Sequence, residues 1–357
     1  MSRIDWLMLK RFAGRIGMVL IVCYGFMIMI ETFDIGRFQR LNSLFGLGAA
    51  VFSLMASAAR WTLKALPIVV LLGSLLALID LQGRREIVAA KAAGMSIWRL
   101  ARAPVLAVFL AGLLTTVGVE RLVTEVNRSI NPLPPGSTSI FTGSSRVWLS
   151  QEGGPGGHYV VQAGGIGPDR TSLTDATFFM TADPGGSRYS APLAVLEADG
   201  WRLPEALQIR TNGAPLALPD FRIGSTMTPP ELRLKLGASE DLTFTELAAA
   251  LASPLADATT RNAIATRFGR MLSLPLLLAG AMLIAFAFTA GYRRTQQYGV
   301  AGLFGIVLGF VVFVTTEMAD RAGSAGVIDP TFAAWGPAVV AIVIGMTVLL
   351  YKEDGRS

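Results

Sequence analysis

The chain has 357 residues, with 31 Lys+Arg, 25 Asp+Glu, one His, one Cys and a net charge of +6. Its hydrophobic fraction is 52% and its charged fraction 16%, well below the roughly 25% of an average soluble domain, which argues against a purely soluble globular protein. The lone Cys23 excludes an intramolecular disulfide and any Cys-rich metal site, and long charge-free apolar runs turn the pI of 9.8 away from nucleic acid and toward a membrane protein with a basic cytoplasmic face.

A bilayer-spanning helix needs about 20 mostly apolar residues. The first apolar run, Ile16–Ile30, is 15 residues between Arg15 and Glu31. It lacks an A-x-A-like cleavage site and is expected to serve as an anchor. Residues 41–59 carry no charge but contain Asn42, three serines and two glycines. A crossing there would put Arg84, Arg85, Lys91, Arg99 and Arg102 outside, against the positive-inside rule. Residues 44–59 are therefore expected to form an interfacial or extracytoplasmic extension of the second span. That span has 15 uncharged residues between Lys64 and Asp80, and the third has 17 between Arg102 and Glu120. Flanking long side chains snorkel to make up the length.

Between spans two and three runs GRREIVAAKAAGMSIWR, residues 83–99. It is Ala-rich, which favours helix. Ile87, Ala90, Lys91 and Gly94 share one face of small residues. Gly94 is expected to stop the helix and Ser96 to cap the next one. Two readings stand side by side: a solvated basic connector, or a docking helix for a cytoplasmic partner, with Glu86 as its exposed acid.

Residues 120–270 hold 15 acidic and 13 basic residues and fall on the extracytoplasmic side. Short β-like runs alternate with Gly, Pro and Asp-Gly breaks, at 146–150, 159–163, 176–181, 194–198 and 201–203. Residues 197–201 (EADGW) predict a hairpin turn followed by a half-buried aromatic. A sandwich or jelly roll of roughly 90 residues is expected. Thr228-Pro229-Pro230-Glu231 predicts a helix N-cap, and Thr243–Glu246 a capping box. The lone His158 falls in a Gly-rich loop, where a solvated role is expected.

Three uncharged runs of 22 residues follow, bracketed by Arg270 and Arg293, Arg294 and Glu317, and Asp329 and Lys352. They complete six spans with both termini cytoplasmic. Glu317 and Asp320 suit either a proton-relay pair or a solvated helix end. Gly302, Gly305 and Gly309 form a small-residue stripe that permits close helix approach. No P-loop, G-x-S-x-G, H-E-x-x-H or Cys/His cluster occurs, so no catalytic, cofactor or metal site is expected in this chain. Cytoplasmic segments carry 13 basic and 5 acidic residues, so the net positive charge faces inward.

Residues 67–100 (PIVVLLGSLLALIDLQGRREIVAAKAAGMSIWRL) resemble the lipopolysaccharide-export permeases of the LptF/LptG family, with Pro67, Glu86 and Gly94 at the matching positions. The resemblance extends over nearly the whole chain, including Arg267–Pro275 and residues 328–337. Residues 328–337 and 30–38 look more like LptG than LptF.

The resemblance implies a bacterial inner-membrane protein of three parts. Residues 1–121 would hold spans one to three with a coupling helix at 84–98. Residues 122–267 would form a periplasmic β-jelly-roll domain and helical return, and residues 268–357 spans four to six. It implies a heterodimer with an LptF-like paralogue over a cytoplasmic ABC ATPase dimer, which binds the ATP and Mg. It also implies an LptC-like membrane protein and a periplasmic bridge that receives lipopolysaccharide by edge-strand addition. Arg84, Arg85, Glu86, Lys91 and Gly94 would serve the ATPase coupling. Arg60 and Lys64, assisted by Arg37 and Arg40, would contact substrate phosphates, although the same residues suit interfacial anchoring. Glu31 departs from a basic position of the family. Gly302, Gly305 and Gly309 would pack a lateral gate, or pack within one chain.

Overall fold

Charge-free runs too apolar to leave exposed in water fold into long helices, and the charges at their ends extend those helices by pairing with one another. The computed structural model describes residues 3–33, 35–130, 147–152, 157–166, 171–181, 187–197, 199–210, 214–227, 232, 242–252, 258–289 and 298–354. The chain divides into a helical unit (Met1–Asn131, Thr243–Ala252 and Arg261–Ser357) and a β unit (Pro132–Leu242 and Ser253–Thr260).

The helical unit begins with α1 (Arg3–Thr32), α2 (Ile35–Phe45), α3 (Leu47–Lys64) and α4 (Leu66–Gly83). Then come a short α5 (Glu86–Ala92), α6 (Ile97–Leu114), a π-helical turn (Thr115–Val119) and α7 (Glu120–Ile130). After the β unit come α8 (Phe244–Ala252), α9 (Ala258–Thr289), α10 (Tyr298–Ser324) and α11 (Pro330–Asp354). Among the described residues, five stretches are long and apolar enough to cross a membrane: Ile4–Thr32, Leu66–Gly83, Ile97–Val126, Ala258–Thr289 and Pro330–Tyr351. The 27-residue α10 stands with them as a sixth long helix.

Contacts give these helices alternating directions. Gly73 of α4 lies against Ile16 of α1, and Asp80 is paired with Arg15, so α1 and α4 are antiparallel. Gly112 of α6 meets Pro275 of α9, and Thr116 donates to the Met271 carbonyl, so α6 and α9 are antiparallel too. Gly269 and Gly280 of α9 face Ala334 and Ala341 of α11, which makes those two parallel. At Gly73 and Gly280 an added Cβ would lie 2.6 Å and 2.8 Å from the neighbouring helix. Only glycine permits these approaches. The α1 and α11 starts therefore lie at opposite ends of the bundle. The end that carries α5 is called the loop end below, and the other the far end.

The segment before the second span forms a helix of its own, α3, set at an angle to α4. Gly73 and Met55 are 18 positions apart, about 27 Å along a straight helix. Their partners on α1, Ile16 and Tyr24, are only 8 positions apart, about 12 Å. The chain therefore bends sharply at Ala65, where Pro67 has no N–H to offer Leu63. So α3 leads into α4 without being collinear with it.

The β unit is an antiparallel sheet of β1 (Val147–Glu152), β2 (His158–Ala163), β3 (Gly165–Ile166), β4 (Ser172–Met180), β5 (Arg188–Glu197), β6 (Gly200–Ile209) and β7 (Leu216–Gly224). The order is β1-β2-β4-β5-β6-β7, with β3 paired to β4. The described strands thus pair along the chain as a meander, whereas a jelly roll needs Greek-key crossovers; the short connections between successive strands account for the difference. The hairpin at 197–201 forms as expected, with Glu197 opposite Gly200. Gly200 has φ 140°, and a Cβ there would sit 2.3 Å from the Ile223 carbonyl oxygen. Trp201 is fully buried rather than half-buried, because it fills the centre of the core with Tyr159, Phe178 and Leu203. His158 starts β2 and is not in a loop; it is exposed.

The sheet curls enough for β1 to reach β6 across that core. Gln151 Oε1 accepts from Tyr159 Oη at 2.7 Å, Trp201 Nε1 at 2.9 Å and Ser225 Oγ at 2.9 Å. Burial pushes the Tyr159 phenol above its ordinary pKa. The capping box also forms, with Glu246 accepting from the Thr243 amide at 2.8 Å. The 228–231 cap lies outside the described residues.

Candidate functional site

The loop end is built around α5. Arg85 adopts a left-handed conformation (φ 59°) and turns the chain back from α4. Gly94 (φ 76°) ends the helix, and Ser96 Oγ accepts from the Arg99 amide at 3.3 Å to start α6. Both are the stop and cap that the sequence predicts. The helix proper is Glu86–Ala92, shorter than the expected 84–98, because Gly94 and Ser96 break the segment into two helices.

One face of α5 is seated and the other is open. Ile87 lines a small apolar cavity with Met8 of α1, Leu78 and Leu81 of α4, Ile97 and Leu100 of α6, and Phe286 and Thr289 of α9. Ala90 is buried beside it. Val88, Ala89, Lys91 and Ala92 are exposed. Val88 and its neighbours face outward, while Ile87 lines that cavity together with residues of four long helices.

Glu86 is not the free surface acid of the sequence reading. Its Oε1 accepts from Arg11 Nη2 at 3.3 Å, and its side chain is 29% exposed. Oε2 is buried without a hydrogen-bond partner among the described residues. The correction has a simple origin, since Arg11 lies 75 positions away and the pairing is invisible along the chain. Arg11 also reaches Asp80 (3.6 Å), which Arg15 (3.2 Å) and Arg84 (3.4 Å) share. Arg102 of α6 holds the buried Asp5 of α1 at 3.0 Å. Arg85 and Gly94 are exposed at the two ends of α5.

At the far end, Arg60 and Lys64 lie near the end of α3, with Lys64 in its last turn, rather than at the start of the second span proper. Lys64 Nζ lies 4.9 Å over the Trp61 ring. Arg37 and Arg40 are on α2, and their side chains fall outside the described set. Nearby is a charge network that the sequence reading missed. Arg267 Nη2 meets Glu120 Oε1 at 3.0 Å, and Lys64 lies within electrostatic reach of Glu120. Arg270 Nη1 meets Asp320 at 2.8 Å and Glu317 at 3.9 Å, while Arg321 reaches Glu317 at 3.5 Å. Glu317 and Asp320 are each 23% exposed and paired to α9, so the solvated-end reading is corrected. Two arginines three positions apart at the head of an apolar helix were the available signal.

Of the glycine stripe, Gly309 is buried against Ile68 and Leu71 of α4 in the same chain. A Cβ there would meet them at 3.6 and 3.7 Å, ordinary contact distances. Gly302 and Gly305 lie on α10 where side-chain surroundings are outside the described set. Among the described residues no group of His, Cys, Asp and Glu could hold a metal ion.

A protein-family model described as "Lipopolysaccharide export system permease LptF/LptG" matches residues 6–351. No curated protein matches the chain.

Proposed function

Since the chain belongs to the LptF/LptG family of lipopolysaccharide export permeases, a family of inner-membrane, multi-pass permease subunits that work with an ABC ATPase, we propose that it is the LptG-like subunit of an ATP-driven exporter. In this reading it pairs with an LptF-like paralogue above a cytoplasmic ATPase dimer that binds ATP and Mg. The loop end and both termini face the cytoplasm, and the β unit is periplasmic. Lipopolysaccharide leaves the inner membrane between the paired permeases. It passes by the β unit, with an LptC-like protein, to a periplasmic bridge. Arg60 and Lys64, with Arg37 and Arg40, meet its phosphates, and Gly302, Gly305 and Gly309 pack at the gate.

The observation that carries this reading is the seat of α5. A helix whose inner side chain lines a cavity shared with four long helices, and whose outer face is exposed, is placed to pass a push on to them. Arg84, Arg85, Glu86, Lys91 and Gly94 frame that face. The inward positive surplus supports placing the loop end in the cytoplasm.

Co-purification tests it. Val88→Glu adds a charge to the open face and leaves the seat untouched. The ATPase should be lost from the purified complex while the sister permease is retained. Retention of the ATPase at the unmodified level would contradict the docking role.

A further inference from the structure

Arg11 is held between two elements rather than one. Its Nη1 lies 3.6 Å from Asp80 Oδ2 on α4, and its Nη2 lies 3.3 Å from Glu86 Oε1 on α5. Among the described residues it is the cation paired with Glu86. A guanidinium spans two carboxylates with one rigid fork, which a lysine ammonium cannot do. Glu86 directly follows Arg85, whose left-handed backbone is held against its own preference. The pair to Arg11 is an interaction that holds the chain in that turn.

The rest of α1 shows what this tie is for. Its first turns are fastened at several points. Asp5 pairs with Arg102 of α6, Arg15 with Asp80, and Met8 and Phe12 are buried in the core. Phe12 stacks on Phe286 of α9 with centroids 5.3 Å apart. Beyond them one face of α1 packs on α3, where the Tyr24 hydroxyl donates to the Met55 carbonyl, and the other lies open. Past Ile16, Met18, Ile21, Val22, Phe26 and Met29 are all exposed, and none of the most apolar stretch of α1 is buried. So α1 is fully gripped at the loop end and packed on one face only along its apolar length.

We propose that Arg11 is a positioning residue that fastens the coupling helix α5 to the first span, so that displacement of α5 moves α1 as one body with it. The inference rests on the reading of α5 as the ATPase-docking helix. In it, Arg11 neither binds the ATPase nor touches lipopolysaccharide. It sets how much of the ATPase stroke reaches the half-open length of α1. Asp80 keeps Arg15 and Arg84 when Arg11 is lost, so α4 retains its own charge partners and the link to Glu86 is the one that breaks.

Two measurements on the full complex in vesicles of phosphatidylethanolamine, phosphatidylglycerol and lipopolysaccharide test this. In the first, Arg11→Gln should keep the ATPase bound. It should lower lipopolysaccharide released per ATP hydrolysed by about fivefold or more, the lower range of ordinary coupling between sites. Arg11→Lys, which reaches one carboxylate, should fall between. In the second, spin labels are placed at the exposed Ala13 and Ala92 in a Cys23→Ser background. The α1–α5 separation should stay the same with and without a non-hydrolysable ATP analogue, and Arg11→Gln should broaden it even without nucleotide. Unchanged coupling in Arg11→Gln overturns the proposal. So does a nucleotide-dependent separation in the otherwise unmodified chain, a result available even where Arg11→Gln fails to fold. Failure of the docking reading shows separately, as Val88→Glu that retains the ATPase, and leaves the label result to decide the tie itself.

Discussion

Replacing Ile87 by aspartate is expected to unseat α5 and uncouple the permease. Ile87 shares a small cavity with Met8, Leu78, Leu81, Ile97, Leu100 and Phe286, and the one polar residue lining it is Thr289. None of those lining residues offers a cation to a carboxylate there. An unpaired charge in such a place costs about 3–5 kcal/mol, more than a single short helix recovers from its own hydrogen bonds. The helix should swing out so that the charge reaches water. Hydrogen–deuterium exchange at the amides of 86–92 should rise by more than about a hundredfold, as that free energy implies. The ATPase should dissociate, and the long helices should keep their protection. Ile87→Val removes one methylene and should cost about 1 kcal/mol with coupling preserved. Unaltered exchange in Ile87→Asp would mean that the seat does not hold α5.

The second large effect is expected in the β unit. Gln151→Leu removes the acceptor shared by Tyr159, Trp201 and Ser225. Tyr159 keeps a bond to the Gly224 carbonyl at 3.1 Å. Trp201 Nε1 is left without that acceptor in a fully buried site. Each stranded buried donor costs about 1–3 kcal/mol, so a loss of about 2–4 kcal/mol is expected. Urea unfolding followed by limited proteolysis within 132–242 should shift to lower denaturant, while the α1–α4 region resists as before. Because β1 is an edge strand held to the core by this side chain, its amides should lose protection first. Equal stability of Gln151→Leu and the unmodified chain would show that the hub contributes packing alone.

Much of this architecture was legible in the residues, and what was not has a common cause. Local signals read correctly: Gly94 and Ser96 around the α5–α6 turn, Thr243–Glu246 as a capping box, Asp199-Gly200 as a hairpin. Each is completed within a few residues of itself. Span lengths look short in the sequence because charges bracket the apolar runs without ending the helices. Arg11 and Arg15 instead lie inside α1, with Asp80 inside α4, each neutralising the other across the helix pair. Glu86 and Asp320 read as solvated for the same reason, since Arg11 and Arg270 are remote in sequence. The last strand, β7, went unread because Pro219 and Asp220 interrupt it. Proline is tolerated there because β7 is an edge strand. Asp220, at φ 50°, is held by Arg202 at 2.6 Å, and that bond keeps its carboxyl below the usual range. Strand positions were visible, but their pairing order depends on contacts that no local pattern carries.

This chain is expected to carry lipopolysaccharide only as part of an ATP-driven complex. Release of lipopolysaccharide from proteoliposomes to a soluble periplasmic acceptor measures it directly. Vesicles holding this chain, its LptF-like paralogue and the ATPase should release lipopolysaccharide when ATP is added. Vesicles lacking this chain, or carrying Val88→Glu, should release none. ATP-dependent release without this chain, or ATP hydrolysis by the complete complex with no lipopolysaccharide moved, would contradict the account.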